Sequence, residues 1–191
     1  MSLVAPHLHE LIAALETEVA PAAPVEEKVR HTEDVLSRFL GTRLEFPPFV
    51  QASTDHYARY LVHRDPQDRF SVVAMVWGPQ QKTAIHDHDG VWCVEGVYQG
   101  ELDITQFDMR PLDGERLTME PQKTVAAGPR AVGNLIPPFE YHSISNPHPH
   151  TAISVHVYGR ELKSCRRYMP ADDGFYRAAM ISLRYDGDVG V

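Results

Sequence analysis

Cysteine is scarce in this chain of 191 residues, which contains only Cys93 and Cys165. Two cysteines are too few for a disulfide scaffold, and they predict free thiols in a reducing, cytoplasmic compartment. Positive charge is also in deficit, because 26 acidic residues outnumber 18 lysines and arginines and leave a net charge of −8. This surplus of negative charge argues against a nucleic acid or another polyanion as partner.

Long hydrophobic runs are missing as well. No apolar run approaches the roughly 20 residues needed to cross a bilayer, so we expect no membrane partner. Residues 1–4 lack the basic and apolar regions of a signal peptide, which also favours a cytoplasmic protein. A chain of this length can bury a substantial core, and residues 1–191 are predicted to form one domain. We expect that domain to be a monomer or a small homo-oligomer.

The spacing of apolar residues changes once along the chain. Through residue 45 it has the period of helices, with a break at Pro21–Pro24. From Tyr57 onward the period is two, and Gly, Pro and Asp turns separate short segments, which predicts many short strands. The pattern predicts an all-β barrel or double-stranded β-roll over residues 55–166. A helical N-terminal cover over 1–45 and a C-terminal tail over 167–191 would complete the domain.

Two histidines one residue apart, His86 and His88, give the strongest indication of chemistry. Residues i and i+2 of a strand point to the same side, so both imidazoles can bind one ion. A third histidine, His142, lies in a second block that runs from Pro137 to Asn146. Imidazole suits iron, zinc, copper and nickel, and three such ligands leave open positions for a substrate and an oxidant.

Two other histidine pairs are not predicted to bind metal. His7 and His9 lie in a predicted helix, where residues i and i+2 diverge. His148 and His150 flank a proline in a turn region whose backbone is not strand-like.

The segment Ile153–Tyr158 alternates polar and apolar residues, so Ser154, His156 and Tyr158 share one strand face. Buried hydrogen-bonding side chains need partners, so this face either lines a functional cavity or is the solvent side of an ordinary strand. The strand follows the His142 block by one turn. We therefore expect antiparallel pairing of the two segments to bring the polar face into the barrel beside the metal.

The two histidine blocks resemble the consensus blocks of cupin barrels, with Cys93 at a position that usually holds a glutamate ligand. From about residue 57 to about residue 166, a wider set of residues resembles the cysteine dioxygenase family of thiol dioxygenases. The set consists of Tyr57, Arg59, Leu61, Val62, His86, Asp87, His88, Cys93, Gln99, Gly100, His142, Ser154, His156, Tyr158 and Cys165. This resemblance implies a cupin enzyme with one mononuclear non-haem Fe(II) per chain. Such an enzyme adds both atoms of O₂ to a small-molecule thiol to give a sulfinate.

The resemblance implies how the iron and the substrate are held. His86, His88 and His142 would bind Fe(II) on one face, and three neutral ligands would leave its +2 charge available to bind the substrate as a thiolate. Arg59 would clamp the substrate carboxylate through its planar guanidinium, with Tyr57 as a further substrate-binding residue.

The resemblance also implies catalytic roles on the polar strand. Tyr158 would place its hydroxyl beside the thiolate and O₂ positions, oriented by His156, while Ser154 would hold the far imidazole nitrogen. In some family members the residues at the positions of Cys93 and Tyr158 are joined by a thioether. Here both residues are present, so Cys93 is either half of a cross-link or a small buried thiol. Cys165 fits a family position and is expected to be structural.

The preferred thiol stays open at this point. Many cysteine-specific members continue with Ser-Pro after the tyrosine, whereas this chain has Gly159 and Arg160. Such a glycine resembles relatives that oxidise 3-mercaptopropionate, yet those usually carry glutamine in place of Arg59. L-Cysteine is the predicted substrate, and 3-mercaptopropionate or another mercapto acid is the alternative. Arg160 either supplies a second carboxylate contact or is solvated, and Val91 and Trp92 are expected to alter the pocket.

Two other classes of protein remain compatible with the three histidines. One is a zinc hydrolase or hydratase, in which the metal would activate a water. The other is a non-catalytic cupin that binds a small molecule.

Overall fold

A computed structural model describes residues 6–138 and 140–191. The N-terminal segment on which the signal-peptide prediction depends lies outside the described residues. Two helices, α1 (Pro6–Glu18) and α2 (Val25–Phe39), come first in the chain. Twelve strands follow: β1 (Ala58–Arg64), β2 (Ser71–Trp77), β3 (Ile85–His86), β4 (Cys93–Gln99), β5 (Leu102–Pro111), β6 (Leu117–Ala127), β7 (Val132–Leu135), β8 (His142–Ser145), β9 (Ala152–Tyr158), β10 (Ser164–Pro170), β11 (Tyr176–Ser182) and β12 (Gly187–Asp188).

The strands form two six-stranded sheets. One has the order β12-β1-β2-β9-β4-β7, and the other closes on itself in the order β10-β11-β6-β5-β8-β3. Among the described strands, β1 and β12 pair in parallel, and the other neighbouring strands pair antiparallel. This arrangement confirms the predicted β-barrel of the cupin type with a helical segment before it.

The first sheet is covered on both faces, which explains why every residue of β2 is buried. Alternate side chains of a strand point to opposite faces. Val72 and Ala74 therefore join a core shared with the helices. Val73 and Met75 join a second core inside the barrel. A strand that is buried on both faces is continuously apolar, as the sequence of β2 is.

The helical cover packs through the apolar stripe that the sequence predicted. Leu8, Leu11 and Leu15 of α1 are each at most 1% exposed and belong to the core that contacts the sheet. Leu40, directly after α2, lies so close to Gly96 of β4 that a Cβ at that position would overlap its side chain. The glycine is therefore required by the close approach of the helical cover to the sheet.

Two expectations about strand arrangement were wrong. Residues 167–191 do not form a tail outside the barrel, because β10 continues to Pro170 and β11 and β12 pair with other strands. The His142 strand and the polar strand do not pair, because β8 pairs with β3 and β5 whereas β9 pairs with β2 and β4. The polar face of β9 instead approaches the histidines from the opposite sheet, across the barrel interior.

Within the described ranges, no helix is long and apolar enough to cross a membrane.

Candidate metal centre

The structure brings His86, His88 and His142 together. His86 and His142 are direct partners across the antiparallel strands β3 and β8, and His88 follows His86 by two residues. The ring centroids lie 4.5 Å apart for His86 and His142, 5.0 Å for His88 and His142, and 5.3 Å for His86 and His88. One ring nitrogen from each residue lies within 4.8 Å of the other two, which is a spacing that one metal ion can draw together.

The electrostatic environment keeps the imidazoles of His86 and His142 neutral. Burial and the nearby His88 lower the pKa of His86 to about 3. Burial, together with His86 and His88, lowers the pKa of His142 well below its ordinary value. Neither ring nitrogen of His142 has a hydrogen-bond partner among the described residues, although the side chain is fully buried. Neutral imidazole is the form that binds metal, and unpaired buried nitrogens are costly without a ligand.

Oxygen atoms lie close to Nδ1 of two of the rings. Nδ1 of His86 lies 3.1 Å from the carbonyl oxygen of Ala84. Because a carbonyl can only accept, Nδ1 carries the proton and Nε2 is left for a metal. Nδ1 of His88 lies 3.4 Å from Oε2 of Glu140, and this carboxylate is 7% exposed. Carboxylates and carbonyls commonly orient metal-binding histidines in this way.

Glu140 was missed by the sequence reasoning. It lies in the turn before β8, two residues ahead of His142, and no periodic pattern includes it. The carboxylate of Asp87, which lies between His86 and His88 in the sequence, points away from the rings. The Tyr168 hydroxyl donates to it at 2.9 Å and the backbone N–H of Arg166 donates at 2.8 Å.

Arg59 is buried in the wall of the same cavity. One guanidinium nitrogen, Nη1, donates to the carbonyl oxygen of Arg184 at 3.1 Å, and the guanidinium lies 5.1 Å from the ring centroid of Tyr185. The other terminal nitrogen, Nη2, is buried and has no hydrogen-bond partner in the described part of the chain. A permanently charged nitrogen that faces a cavity without an acceptor is suited to a ligand carboxylate.

A second arginine lines the cavity, but it is not the one considered from the sequence. Arg160 is exposed and donates to the carbonyl oxygen of Asp89 at 3.3 Å, so it is not a cavity residue. Arg167 does line the cavity, because it is paired with His86 across β10 and β3. Its Nη2 donates to the Tyr57 hydroxyl at 3.4 Å. Tyr57 in turn stacks on Trp77 with ring centroids 4.8 Å apart.

The polar face of β9 forms a buried hydrogen-bonded row. The indole N–H of Trp77 donates to Oγ of Ser154 at 2.9 Å, and Ser154 Oγ lies 2.8 Å from Nε2 of His156. The expected contact between Ser154 and the imidazole is therefore present. Tyr158 stacks on His156 with ring centroids 6.0 Å apart and planes inclined by 19°, so packing orients the phenol. Its ring centroid lies 5.7 Å from that of His88.

The other nitrogen of His156 faces a carboxyl group that the sequence reasoning also missed. Oε2 of Glu95 lies 3.3 Å from Nδ1 of His156, and both side chains are buried. The two residues are direct partners across β4 and β9. Cys93, two residues before Glu95, is likewise the direct partner of Tyr158.

Both cysteines are free and buried. Burial, Glu95 and Glu140 raise the pKa of Cys93 well above its ordinary value. Burial raises the pKa of Cys165 to about 11, although this side chain also reaches the cavity wall. Both are therefore protonated thiols near neutral pH.

The cavity beside the three histidines is small, about 30 Å³, and adjoins an outer pocket of about 750 Å³. Four residues line both spaces: Tyr57, Arg59, Arg167 and Leu183. Neither Val91 nor Trp92 lines these spaces. His148, at the surface, bonds to Glu101, and His7 on α1 bonds to Glu10, so these histidines lie apart from the cluster.

Comparison with known proteins places these features in a family. The family model for cysteine dioxygenase type I matches residues 8–171, which is most of the chain. Cysteine dioxygenase type 1 of Rattus norvegicus is 24% identical over 162 residues, covering 84% of this chain and 74% of the relative. The human enzyme of the same name is 21% identical over 144 residues, and the match covers 75% of this chain and 70% of the human enzyme.

A solved structure from Klebsiella pneumoniae, described as an uncharacterized conserved protein with a double-stranded β-helix domain, is also similar. It is 22% identical, with a TM-score of 0.42, and the match covers 66% of this chain and 88% of that one. The family assignment depends on the sequence match instead, and it removes the hydrolase and non-catalytic alternatives. The chain belongs to the cysteine dioxygenase family and is a thiol dioxygenase with a cupin barrel.

Proposed function

We propose that the protein is an Fe(II)-dependent dioxygenase that converts L-cysteine to cysteine sulfinate. One observation carries this proposal. The cavity that contains three convergent imidazoles also contains a buried arginine whose Nη2 has no hydrogen-bond partner among the described residues. A metal and a carboxylate can therefore be bound side by side, as a small thiol carboxylic acid requires.

The donor set fits one mononuclear iron per chain. His86, His88 and His142 would hold it, and the unpaired nitrogens of His142 are those that a metal would satisfy. Imidazole ligands also suit other divalent metals, so it is the family membership that favours iron here. When bound, iron supplies the activation of O₂ and of the substrate sulfur. Three neutral ligands leave the +2 charge uncompensated, which favours the thiolate form of the substrate.

Residues of the cavity mouth would select and orient the substrate. The Nη2 group of Arg59 would donate to the substrate carboxylate, while Nη1 stays fixed on the Arg184 carbonyl. Arg167 and Tyr57 lie on the route from the outer pocket and would add positive charge and a hydroxyl. The two cations would attract a carboxylate from solvent and discriminate against amines that lack one.

Tyr158 would hold a proton beside the reacting sulfur. Burial and Cys93 raise the pKa of Tyr158 well above its ordinary value, so the phenol remains protonated and can donate a hydrogen bond. His156 keeps the ring in place by stacking, and Ser154 fixes the imidazole through its Nε2 atom. A donor fixed in a buried site stabilises developing negative charge without reorganisation.

The glycine after Tyr158 has a structural explanation that does not involve substrate choice. A Cβ at Gly159 would overlap the indole of Trp92, and the N–H of Gly159 donates to the Trp92 carbonyl at 3.0 Å. Gly159 therefore follows from the close packing of Trp92, so its presence does not favour 3-mercaptopropionate. Both thiols carry a carboxylate that Arg59 could bind. We rank cysteine above 3-mercaptopropionate because the relatives that oxidise 3-mercaptopropionate usually carry glutamine in place of this arginine.

The remaining parts of the proposal concern the setting of the enzyme. The two free, buried thiols fit a reducing cytoplasmic compartment, where disulfides seldom persist. The partners are the small thiol and O₂, and we propose a monomer or a small homo-oligomer.

A panel of thiols tests the substrate assignment. Iron-loaded protein is incubated with L-cysteine, 3-mercaptopropionate or cysteamine, and each sulfinate product is measured by mass spectrometry. We expect the highest kcat/KM for L-cysteine and the lowest for cysteamine. A higher kcat/KM for 3-mercaptopropionate would replace cysteine as the substrate while leaving the thiol dioxygenase assignment intact.

A further inference from the structure

A second group of metal-binding atoms lies inside the barrel, apart from the three histidines. It comprises the Cys93 sulfur, a carboxylate oxygen of Glu95 and a ring nitrogen of His156, all within 4.8 Å of one another. The strands dictate this convergence. Cys93 and Glu95 are two residues apart on β4 and share a face, and Glu95 is the direct cross-strand partner of His156.

Two atoms of this group are buried and unsatisfied. Oε2 of Glu95 and Nδ1 of His156 have no hydrogen-bond partner in the part of the chain that the structure describes. Their side chains are 7% and 2% exposed, and the two atoms lie 3.3 Å apart. An unsatisfied buried polar group typically costs about 1–3 kcal/mol, so both atoms would gain from a shared ligand.

A third group that could hold a metal, formed by Glu16, His63 and Asp65, differs in this respect. The Asp65 carboxylate already accepts hydrogen bonds from Arg69 at 2.6 Å and 2.9 Å. The Asp65 carboxylate is neutralised by the Arg69 guanidinium, whereas among the described residues no lysine or arginine pairs with Glu95, which faces only His156. Burial raises the pKa of Glu95 to about 8.

Charge balance favours a divalent cation in the Cys93 group. A thiolate and a carboxylate together neutralise a +2 ion, so the filled site carries no net charge in a dry interior. Binding would release the thiol proton and any carboxyl proton to solvent, as metal binding to protonated ligands does. Mixed sulfur, nitrogen and oxygen donors suit Zn²⁺ and its spectroscopic substitute Co²⁺.

A second cavity reaches two members of this group, Glu95 and His156. It measures about 250 Å³, its other polar lining residues include Ser154, Lys123 and Asn134, and it shares Ile144 and His156 with the lining of the three-histidine cavity. Apolar side chains form most of the remaining wall. The lysine is exposed, so the cavity reaches the protein surface, and it has room for a water as a fourth ligand.

We propose that Cys93, Glu95 and His156 form a second metal site, for Zn²⁺ or a similar divalent cation, distinct from the three-histidine centre. When a metal occupies this site, the Cys93 sulfur is one of its ligands. A sulfur held in this way is not free to bond to Tyr158, so metal binding here and a Cys93–Tyr158 thioether exclude each other.

Cobalt titration tests the proposal without reference to turnover. Metal-free, reduced, full-length protein is titrated with Co²⁺, and both the bound metal and the near-ultraviolet absorption from thiolate-to-cobalt charge transfer are recorded. The three-histidine centre contains no sulfur ligand, so this absorption reports the second site. We expect two Co²⁺ per chain, one of which produces the thiolate absorption.

Matched variants assign the absorption to its ligands. Cys93→Ser should abolish it and reduce the stoichiometry to one. Glu95→Gln should weaken the Co²⁺ affinity of the absorbing site by at least about 10-fold, the loss seen even for residues that only support a ligand. Cys165→Ser should retain the absorption, although this residue lines the three-histidine cavity. His142→Ala should lose the other cobalt and keep the thiolate absorption.

Three results would overturn the second site: one Co²⁺ per chain without thiolate absorption, absorption that survives Cys93→Ser, or absorption lost in His142→Ala. Circular dichroism spectra identical to wild type are the condition for comparing variants. Because no substrate is present, these outcomes are independent of whether the protein oxidises cysteine.

Discussion

Cys93 and Tyr158 face each other as direct partners across the antiparallel strands β4 and β9. Both side chains lie in the core inside the barrel, and each is at most 4% exposed. Directly opposed residues of such strands have Cβ atoms about 4.5–5.5 Å apart, so the sulfur can reach the edge of the phenol ring. The ring also lies beside His88, next to the proposed iron.

This relationship predicts that a thioether between Cys93 and Tyr158 forms in protein that has catalysed its reaction. Joining a thiol to a phenol ring removes two hydrogen atoms, with O₂ as the oxidant, so the product is about 2 Da lighter than the encoded chain. We expect the lighter fraction to increase during incubation with Fe(II), O₂ and cysteine. Intact-mass spectrometry after reduction measures it, because a Cys93–Cys165 disulfide would show the same mass change before reduction.

Two variants identify the bond. The lighter species should be absent from both Cys93→Ala and Tyr158→Phe. Cys93→Ala should retain part of its activity, since Cys93 is not one of the residues that would hold the substrate or the iron. A mass difference that vanishes on reduction would leave Cys93 as an ordinary buried thiol.

The three histidines are predicted to be indispensable for iron binding. Alanine at position 86, 88 or 142 removes one of three convergent ligands, and two imidazoles seldom hold Fe(II) on one face. We expect loss of bound iron and of activity in each variant, measured by elemental analysis and turnover. His148→Ala, at the surface, should bind iron as the wild type does. Normal iron content in His142→Ala would refute the ligand assignment.

Glu140 is predicted to support metal binding without touching the metal. Its Oε2 atom lies 3.4 Å from Nδ1 of His88, and a bound metal would bring this pair into the arrangement in which a carboxylate orients a metal-binding histidine. Loss of such a supporting carboxylate typically weakens metal affinity by about 10–100-fold, and we expect this for Glu140→Gln in a competition assay with a chelator. Glu101→Gln is the matched control, because Glu101 bonds to the surface His148 at 2.9 Å. Equal affinities in the two variants would show that Glu140 has no such role.

Arg59 is predicted to bind the substrate carboxylate. Arg59→Ala should lose about 2–5 kcal/mol of transition-state stabilisation on cysteine, as expected for removing one partner of a desolvated charge pair. Arg59→Lys should recover only part, because a lysine cannot reproduce the forked geometry. The ratio of kcat/KM values between wild type and variant measures the loss.

Cysteamine separates this role from a structural one. It has no carboxylate, so its slow oxidation should be insensitive to Arg59→Ala. Equal losses on cysteine and cysteamine would indicate that the Arg59 side chain only supports the fold, through its hydrogen bond to the Arg184 carbonyl.

The parts of the site that the sequence could predict depend on local periodicity. The two-residue spacing of Ser154, His156 and Tyr158 places their side chains on one face of β9, and the same spacing keeps His86 and His88 together although His88 lies just past the end of β3. Resemblance to a family supplied the positions of His142 and Arg59. The barrel could be predicted because short apolar segments alternate with turns from Tyr57 onward. The helical cover could be predicted because the apolar residues through residue 45 have the period of a helix.

The parts that the sequence could not predict depend on contacts between distant segments. Glu140 and Glu95 have no special neighbours in the sequence, and their roles come from facing His88 and His156. Arg167 enters the site because the register of β10 pairs it with His86. Strand register and strand order are set by the packing of the whole barrel, which also explains why the supposed tail became β11 and β12.

The central claim, that the protein inserts both atoms of O₂ into a thiol, is tested most directly with ¹⁸O₂. Iron-loaded protein and L-cysteine are mixed under ¹⁸O₂ while oxygen uptake is recorded, and the sulfinate is analysed by mass spectrometry. We predict one O₂ consumed per thiol lost and two ¹⁸O atoms in each sulfinate. Thiol loss without oxygen uptake, or a sulfinate that carries a single ¹⁸O, would contradict it.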